Sequence, residues 1–117
     1  MLNKYPNISI ELKEDFILVT ILANLDSTIA EETRNAFTYL IEHADRNIRF
    51  DLSASDNIDA SGIGSIAFLF KRLNQLNFHL ELTGVQDTTL ALIQALYVDK
   101  IIPAFPYQEH TNLTKRT

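Results

Sequence analysis

The run Phe16-Ile17-Leu18-Val19-Thr20-Ile21-Leu22 constrains the fold of this chain more than any other segment. Large and β-branched side chains at nearly every position suit a central strand covered on both faces, because a strand with one face in water would alternate. The segment before it does alternate: Ile8 to Leu12 reads as a half-buried strand, and Glu14-Asp15 between the two suits a tight hairpin. A buried strand so early in the chain needs helices to cover it and further strands to pair with it.

The downstream segments supply both. Asn24 and Asp26-Ser27-Thr28 offer several N-cap choices, and Thr28-x-x-Glu31 has the spacing of a capping box. Ile29, Thr33, Ala36, Phe37, Leu40, Ile41 and Ala44 then recur at helical spacing. Ile48 to Leu52 alternates as a strand, and Ser53 to Ile58 is a polar loop. A second helix is expected from about Ser61 to Asn77, burying Ile63, Ile66, Ala67, Phe70 and Leu73. Phe78 to Thr83 reads as a strand stopped by Gly84, and Asp87 caps a short third helix reaching Leu96. Ile101-Ile102 before Pro103 suits a short edge strand, since proline cannot donate to a sheet ladder. Strands alternating with helices give an α/β fold with parallel pairs. One domain over residues 1–107 accounts for the patterned part, and residues 108–117, which lack periodicity, read as a flexible tail.

Composition removes several function classes. Ten basic against fifteen acidic residues in 117 give a net charge of −5, with no basic stripe to neutralise the phosphates of nucleic acid or an anionic membrane. The basic pair Lys115-Arg116 sits in the terminal segment and reads as a solvated tail. No stretch approaches the roughly 18 apolar residues of a membrane span, and Met1 to Pro6 is not a signal peptide. The absence of cysteine excludes disulfides and thiolate metal sites and fits a cytoplasmic protein.

Asp59-Ala60-Ser61-Gly62-Ile63-Gly64 is the segment that looks most like a chemical address. It puts a hydroxyl at or beside a helix N-terminus, where unpaired N–H groups and the helix dipole favour an added phosphate. A serine nucleophile would need a base held close. His43, His79 and His110 lie late in a helix, at a strand entry and in the tail, and there is no G-x-S-x-G elbow. Gly62-x-Gly64-x-x-Ala67 satisfies a loose dinucleotide pattern, with Glu81 about twenty residues on. Its first glycine comes well after the strand end at Leu52, however, and Glu81 falls inside a strand. The acids at Asp51, Asp56 and Asp59 lack calcium-loop spacing, so neither metal nor cofactor is expected. The remaining reading treats Ser61 as a residue acted upon. At about 100° per residue, Ser61, Ser65, Phe68, Arg72 and Gln75 form one stripe opposite Ile66 and Phe70. Phe68 is either an outward partner anchor or a side chain leaning on a neighbouring helix.

With these residues in view, the chain resembles the STAS domain family, the bacterial anti-sigma-factor antagonists and their relatives. Leu22-Ala23-Asn24-Leu25-Asp26 stands where the family has x-Gly-x-Leu-Asp, and Asp59 to Gly64 where it has Asp-Ser-Ser-Gly-x-Gly. Leu82-Thr83-Gly84-Val85 and Leu96 to Pro103 look like its fourth strand and closing segment, so the likeness covers roughly residues 8–105. The resemblance implies a mixed sheet of four to five strands with about three helices, the terminal helix short or absent. It also implies a partner switch without catalysis of its own. The unmodified protein would bind a serine kinase or anti-sigma factor, the kinase would phosphorylate Ser61, and a phosphatase would reverse this. Asp26, Asp59, Ser61 and Gly62, with Ser65, Phe68 and Arg72 of the stripe, would form the partner surface. Ala23 and Ala60 depart from the family glycine and first serine. A second class within the resemblance is the STAS accessory subunit that binds the ATPase of a phospholipid-type ABC transporter. Monomer and dimer are both open.

Overall fold

The computed structural model describes residues 4–107. Strands β1 (Ile8–Leu12), β2 (Phe16–Ile21), β3 (Asn47–Asp51), β4 (Leu80–Val85) and β5 (Ala104–Pro106) form one sheet in that order. β1 and β2 are the antiparallel hairpin that the sequence indicates, closed by the Lys13 N–H donating to the Phe16 carbonyl at 2.8 Å. Every later pair is parallel, joined by helices α1 (Ala30–His43), α2 (Ala60–Gln75) and α3 (Asp87–Ala95). This is the α/β class, with the mixed five-stranded sheet and three helices that the resemblance implies. The tail assigned to residues 108–117 lies outside the described residues.

The three crossovers all step the same way across the sheet. Right-handed connections that step one way put their helices on one side, and the burial pattern agrees. Ile8 and Ile10, Ile17, Val19 and Ile21, Ile48 and Phe50, and Leu80, Leu82 and Val85 are buried, while the residues between them are not. The core lies between this face and the helices, with Phe37 of α1 edge-on to Phe50 at 5.6 Å between centroids. The expectation that β2 is covered on both faces therefore fails. Phe16, Leu18 and Thr20 are only half-buried, on the face without helices. Neighbouring side chains shield them instead: the Arg49 guanidinium lies over the Phe16 ring at 4.2 Å and also binds Glu81. Register sets this row, since Arg49 stands opposite Leu18 on one side and Glu81 on the other.

Four local expectations are corrected. The Thr28–Glu31 capping box does not form. Asp26 caps a 3-10 turn over Ser27–Ile29, accepting from the Thr28 N–H at 2.9 Å, and α1 begins only at Ala30. Gly84 does not stop β4 but sits inside it, with φ of +65°, where the register with β5 shifts. A Cβ there would lie 2.9 Å from Ser53 Cβ, so the position needs glycine for both its backbone and its space. Asp87 is the first residue of α3 rather than its cap, which is Gln86. The edge strand is Ala104–Pro106, because Ile102 turns into the core after a 3-10 turn at Val98–Lys100. α2 matches its expected face at Ile63, Ile66 and Leu73, with Ala67 and Phe70 half-buried and Leu69 buried in addition.

Candidate functional site

The loops leaving β2 and β3 lie at the carboxyl ends of neighbouring parallel strands, the side of an open α/β sheet where binding sites gather. Here they are stapled together. Leu25 and Ile58 form a parallel bridge, and the Leu25 N–H donates to the Asn57 carbonyl at 3.2 Å. The Asn57 N–H donates to Asn24 Oδ1 at 3.1 Å, and Ser55 Oγ donates to the Ala23 carbonyl at 2.8 Å. Ala23 is not among the positive-φ residues, so alanine fits where a glycine might stand.

Asp59 ends the second loop and caps α2, its Oδ1 accepting from the Gly62 N–H at 2.9 Å. The first intrahelical bond, Ile63 N–H to the Asp59 carbonyl, is 3.0 Å. Ala60 and Ser61 thus occupy the first two helical positions, and their N–H groups donate to nothing among the described residues. Ser61 is exposed, and its carbonyl accepts from Ser65 Oγ at 3.2 Å. Asp59→Ala is expected to cost about 1 kcal/mol through the lost cap, a fall in Tm of roughly 4 °C at this size. Asp59→Asn should restore most of it, and thermal denaturation of the two variants checks both.

The two glycines of the motif differ in purpose. Gly62 is buried, and what its missing side chain admits is the chain's own backbone. A Cβ there would stand 2.3 Å from the Leu25 carbonyl oxygen and 2.9 Å from Ile58 Cγ2. Gly62 is therefore first a packing position, and the partner surface expected to include it meets at most its edge in the small cleft beside Ser61. Gly64 is exposed, and a Cβ on it would meet nothing within 4 Å.

That open space belongs to a groove of about 410 Å³ between α1 and α2. Ser61, Gly64, Ser65 and Phe68 line it from α2; Arg34, Phe37, Thr38 and Ile41 face them from α1. Phe68 is 56% exposed, with the Arg72 guanidinium 5.8 Å from its ring centre. Arg72 and Gln75 continue the stripe along the exposed side of α2. On its other side Ser61 shares a small cleft with Leu25, Asp26, Gly62 and Ser65. The Asp26 carboxyl is held below its ordinary pKa by the Thr28 hydroxyl first and the Thr28 backbone N–H second. It is therefore an anion at physiological pH. Asp26 thus shares one cleft with Ser61 and Ser65, Phe68 shares the neighbouring groove with the same two serines, and Asp59 caps the helix that carries them.

Sequence reasoning missed the α1 wall. Its signal is Arg34 and Thr38 at four-residue spacing, polar residues that flank Phe37 and Ile41 of the apolar series on that helix. The other candidate chemistries meet different surroundings. Glu81 pairs with Arg49 on the helix-free sheet face, far from a role beside Gly62. Asp51 Oδ1 accepts from the Ser53 N–H and hydroxyl, which fixes the loop after β3. Neither His43 nor His79 lines the clefts that Ser61 lines, and His110 lies outside the described residues. Among the described residues no helix is long and apolar enough to cross a membrane.

Known proteins share the fold that carries this site. The chain is 29% identical over 99 residues to an anti-sigma-B factor antagonist of Listeria monocytogenes, covering 82% of this chain and 87% of that protein. An anti-sigma factor antagonist from Mycobacterium paratuberculosis has the same fold, with a TM-score of 0.77 at 17% identity over 94% of this chain and 93% of that one. So does the phosphorylated form of the Bacillus cell fate determinant SpoIIAA, with a TM-score of 0.66 at 14% identity over 94% and 99% of the two chains. The model of the STAS domain matches residues 7–111, nearly the whole described structure, and the chain belongs to the STAS domain family.

Proposed function

We propose that this protein is an anti-sigma-factor antagonist that works as a phosphorylation-controlled partner switch in the cytoplasm. With Ser61 unmodified it binds a serine kinase that doubles as an anti-sigma factor; phosphorylation of Ser61 releases that partner, and a phosphatase resets the cycle. The observation that carries this reading is the setting of Ser61. It is exposed on the second residue of α2, beside an open groove, with the Ala60 and Ser61 N–H groups unpaired among the described residues. A kinase can reach it, and a phosphate there gains from those N–H groups. Phosphorylation adds about −1.5 to −2 charges beside Asp26 and Asp59. A docked partner then faces a changed surface without any refolding. On this reading the protein contributes binding rather than catalysis.

Ser61 is expected to be the one kinase-dependent phosphosite of residues 4–107, since Ser53, Ser55 and Ser65 are not exposed and the exposed Ser27 starts a 3-10 turn rather than an α-helix with glycine beside it. Mass spectrometry after reaction with the cognate kinase checks this, and recovery of the phosphate mainly elsewhere would refute it. Ser61→Ala should keep full stability, because Asp59 and not Ser61 caps the helix, and should hold the kinase persistently. Genuine phosphorylation should weaken that complex at least about tenfold, or 1.4 kcal/mol. Equal affinity of the wild-type, Ser61→Ala and phosphorylated forms would instead favour a constitutive subunit of a transporter ATPase.

A further inference from the structure

We propose that Arg34 receives the phosphate of phosphorylated Ser61, so that the modified side chain closes the α1–α2 groove from within. The inference rests on Ser61 being the modified residue and concerns what its phosphate then does. Arg34 and Ser61 line the same groove from opposite helices, and Arg34 is the only charged residue among those lining it. It is also the one described arginine without a partner. Arg46 binds Asp45 and the Lys13 carbonyl, Arg49 binds Glu81, and Arg72 lies against Phe68. Arg34 has neither an ion pair nor a hydrogen bond among the described residues, and it is exposed.

The charges around Ser61 set the direction a phosphate takes. On the side of the small cleft stands Asp26, kept ionised by Thr28. At the helix start stands Asp59, occupied with the Gly62 N–H. In the first turn of α1, Glu32 is engaged by the Asn7 N–H and amide at 2.6 and 2.9 Å, leaving Glu31 exposed. A phosphate dianion is repelled by these carboxylates and attracted toward the groove, where a guanidinium can take two of its oxygens at once. The pairing removes the groove's charge and fills the mouth beside Gly64. Phosphorylation therefore changes the surface twice, by adding charge and by withdrawing the cavity.

The test places phosphoserine at position 61 by translation, without a kinase, and follows its second ionisation by phosphorus NMR. A nearby cation favours the dianion, so Arg34→Gln should raise the phosphoserine pKa by about half a pH unit or more. Arg34→Lys should keep at least half of the lowering, while Arg72→Gln should leave the pKa unmoved. In the unsubstituted protein the Arg34 side-chain N–H signal should shift on modification, a readout that needs no variant. An unchanged pKa in Arg34→Gln, or the same change in Arg72→Gln, would overturn the proposal. Because no kinase takes part, a positive titration combined with no kinase-dependent phosphate on Ser61 would sink the switch function and leave this pairing standing.

Discussion

Gly62→Ala is expected to lower folding stability by about 3 kcal/mol, although alanine is ordinarily the better residue in a helix. Replacing a helical glycine by alanine gains about 1 kcal/mol where nothing stands in the way. At Gly62 the added Cβ would lie 2.3 Å from the Leu25 carbonyl oxygen. That atom is backbone, tied into the bridge to Ile58 and accepting from the Asp59 N–H at 3.4 Å. It cannot rotate away as a side-chain tip would, so α2 must lift or the staple between the two loops must open. Gly64→Ala is the matched control, because its Cβ meets nothing within 4 Å. It should be neutral or stabilise by up to about 1 kcal/mol. Urea denaturation of both variants gives the difference directly. Similar effects at the two positions would show that the loops do not hold α2 as tightly as the close approach indicates.

The motif was legible as an address because its residues are local: a hydroxyl at a helix start and two glycines in six positions, although the cap proved to be Asp59. What those glycines are for was not legible. The contact that demands Gly62 comes from Leu25, on another loop, and nothing in the spacing of Asp59 to Gly64 announces it. The same limit explains β2. A run of apolar residues does not show what covers each face, and here Arg49 and its row of cross-strand neighbours shield one face only in part. The capping box failed because Asp26, two residues ahead of Thr28, reaches its N–H first and draws the chain into a 3-10 turn. The groove was half legible: the α2 stripe follows from helical geometry alone, whereas its α1 wall depends on how two helices pack.

Phe68 carries the second large expected effect, and its setting combines features of the two roles the sequence left open. It is 56% exposed, yet it borders the same groove as Phe37 and Ile41 of α1, so it both meets solvent and leans toward its neighbour. A ring this exposed contributes little to the core, and Phe68→Ala should change folding stability by no more than about 0.5 kcal/mol. If the groove takes the partner, the same substitution should weaken the complex by about 2 kcal/mol or more, roughly thirtyfold, because buried aromatic anchors dominate interfaces. Arg72, whose guanidinium lies 5.8 Å from the ring centre, would lose its stacking partner at the same time. Melting temperature and affinity for the kinase measured on one purified variant separate the roles. A loss of about 3–5 kcal/mol of stability with normal affinity in the folded fraction would make Phe68 a core residue. The docking stripe would then be wrong even with Ser61 still the phosphosite.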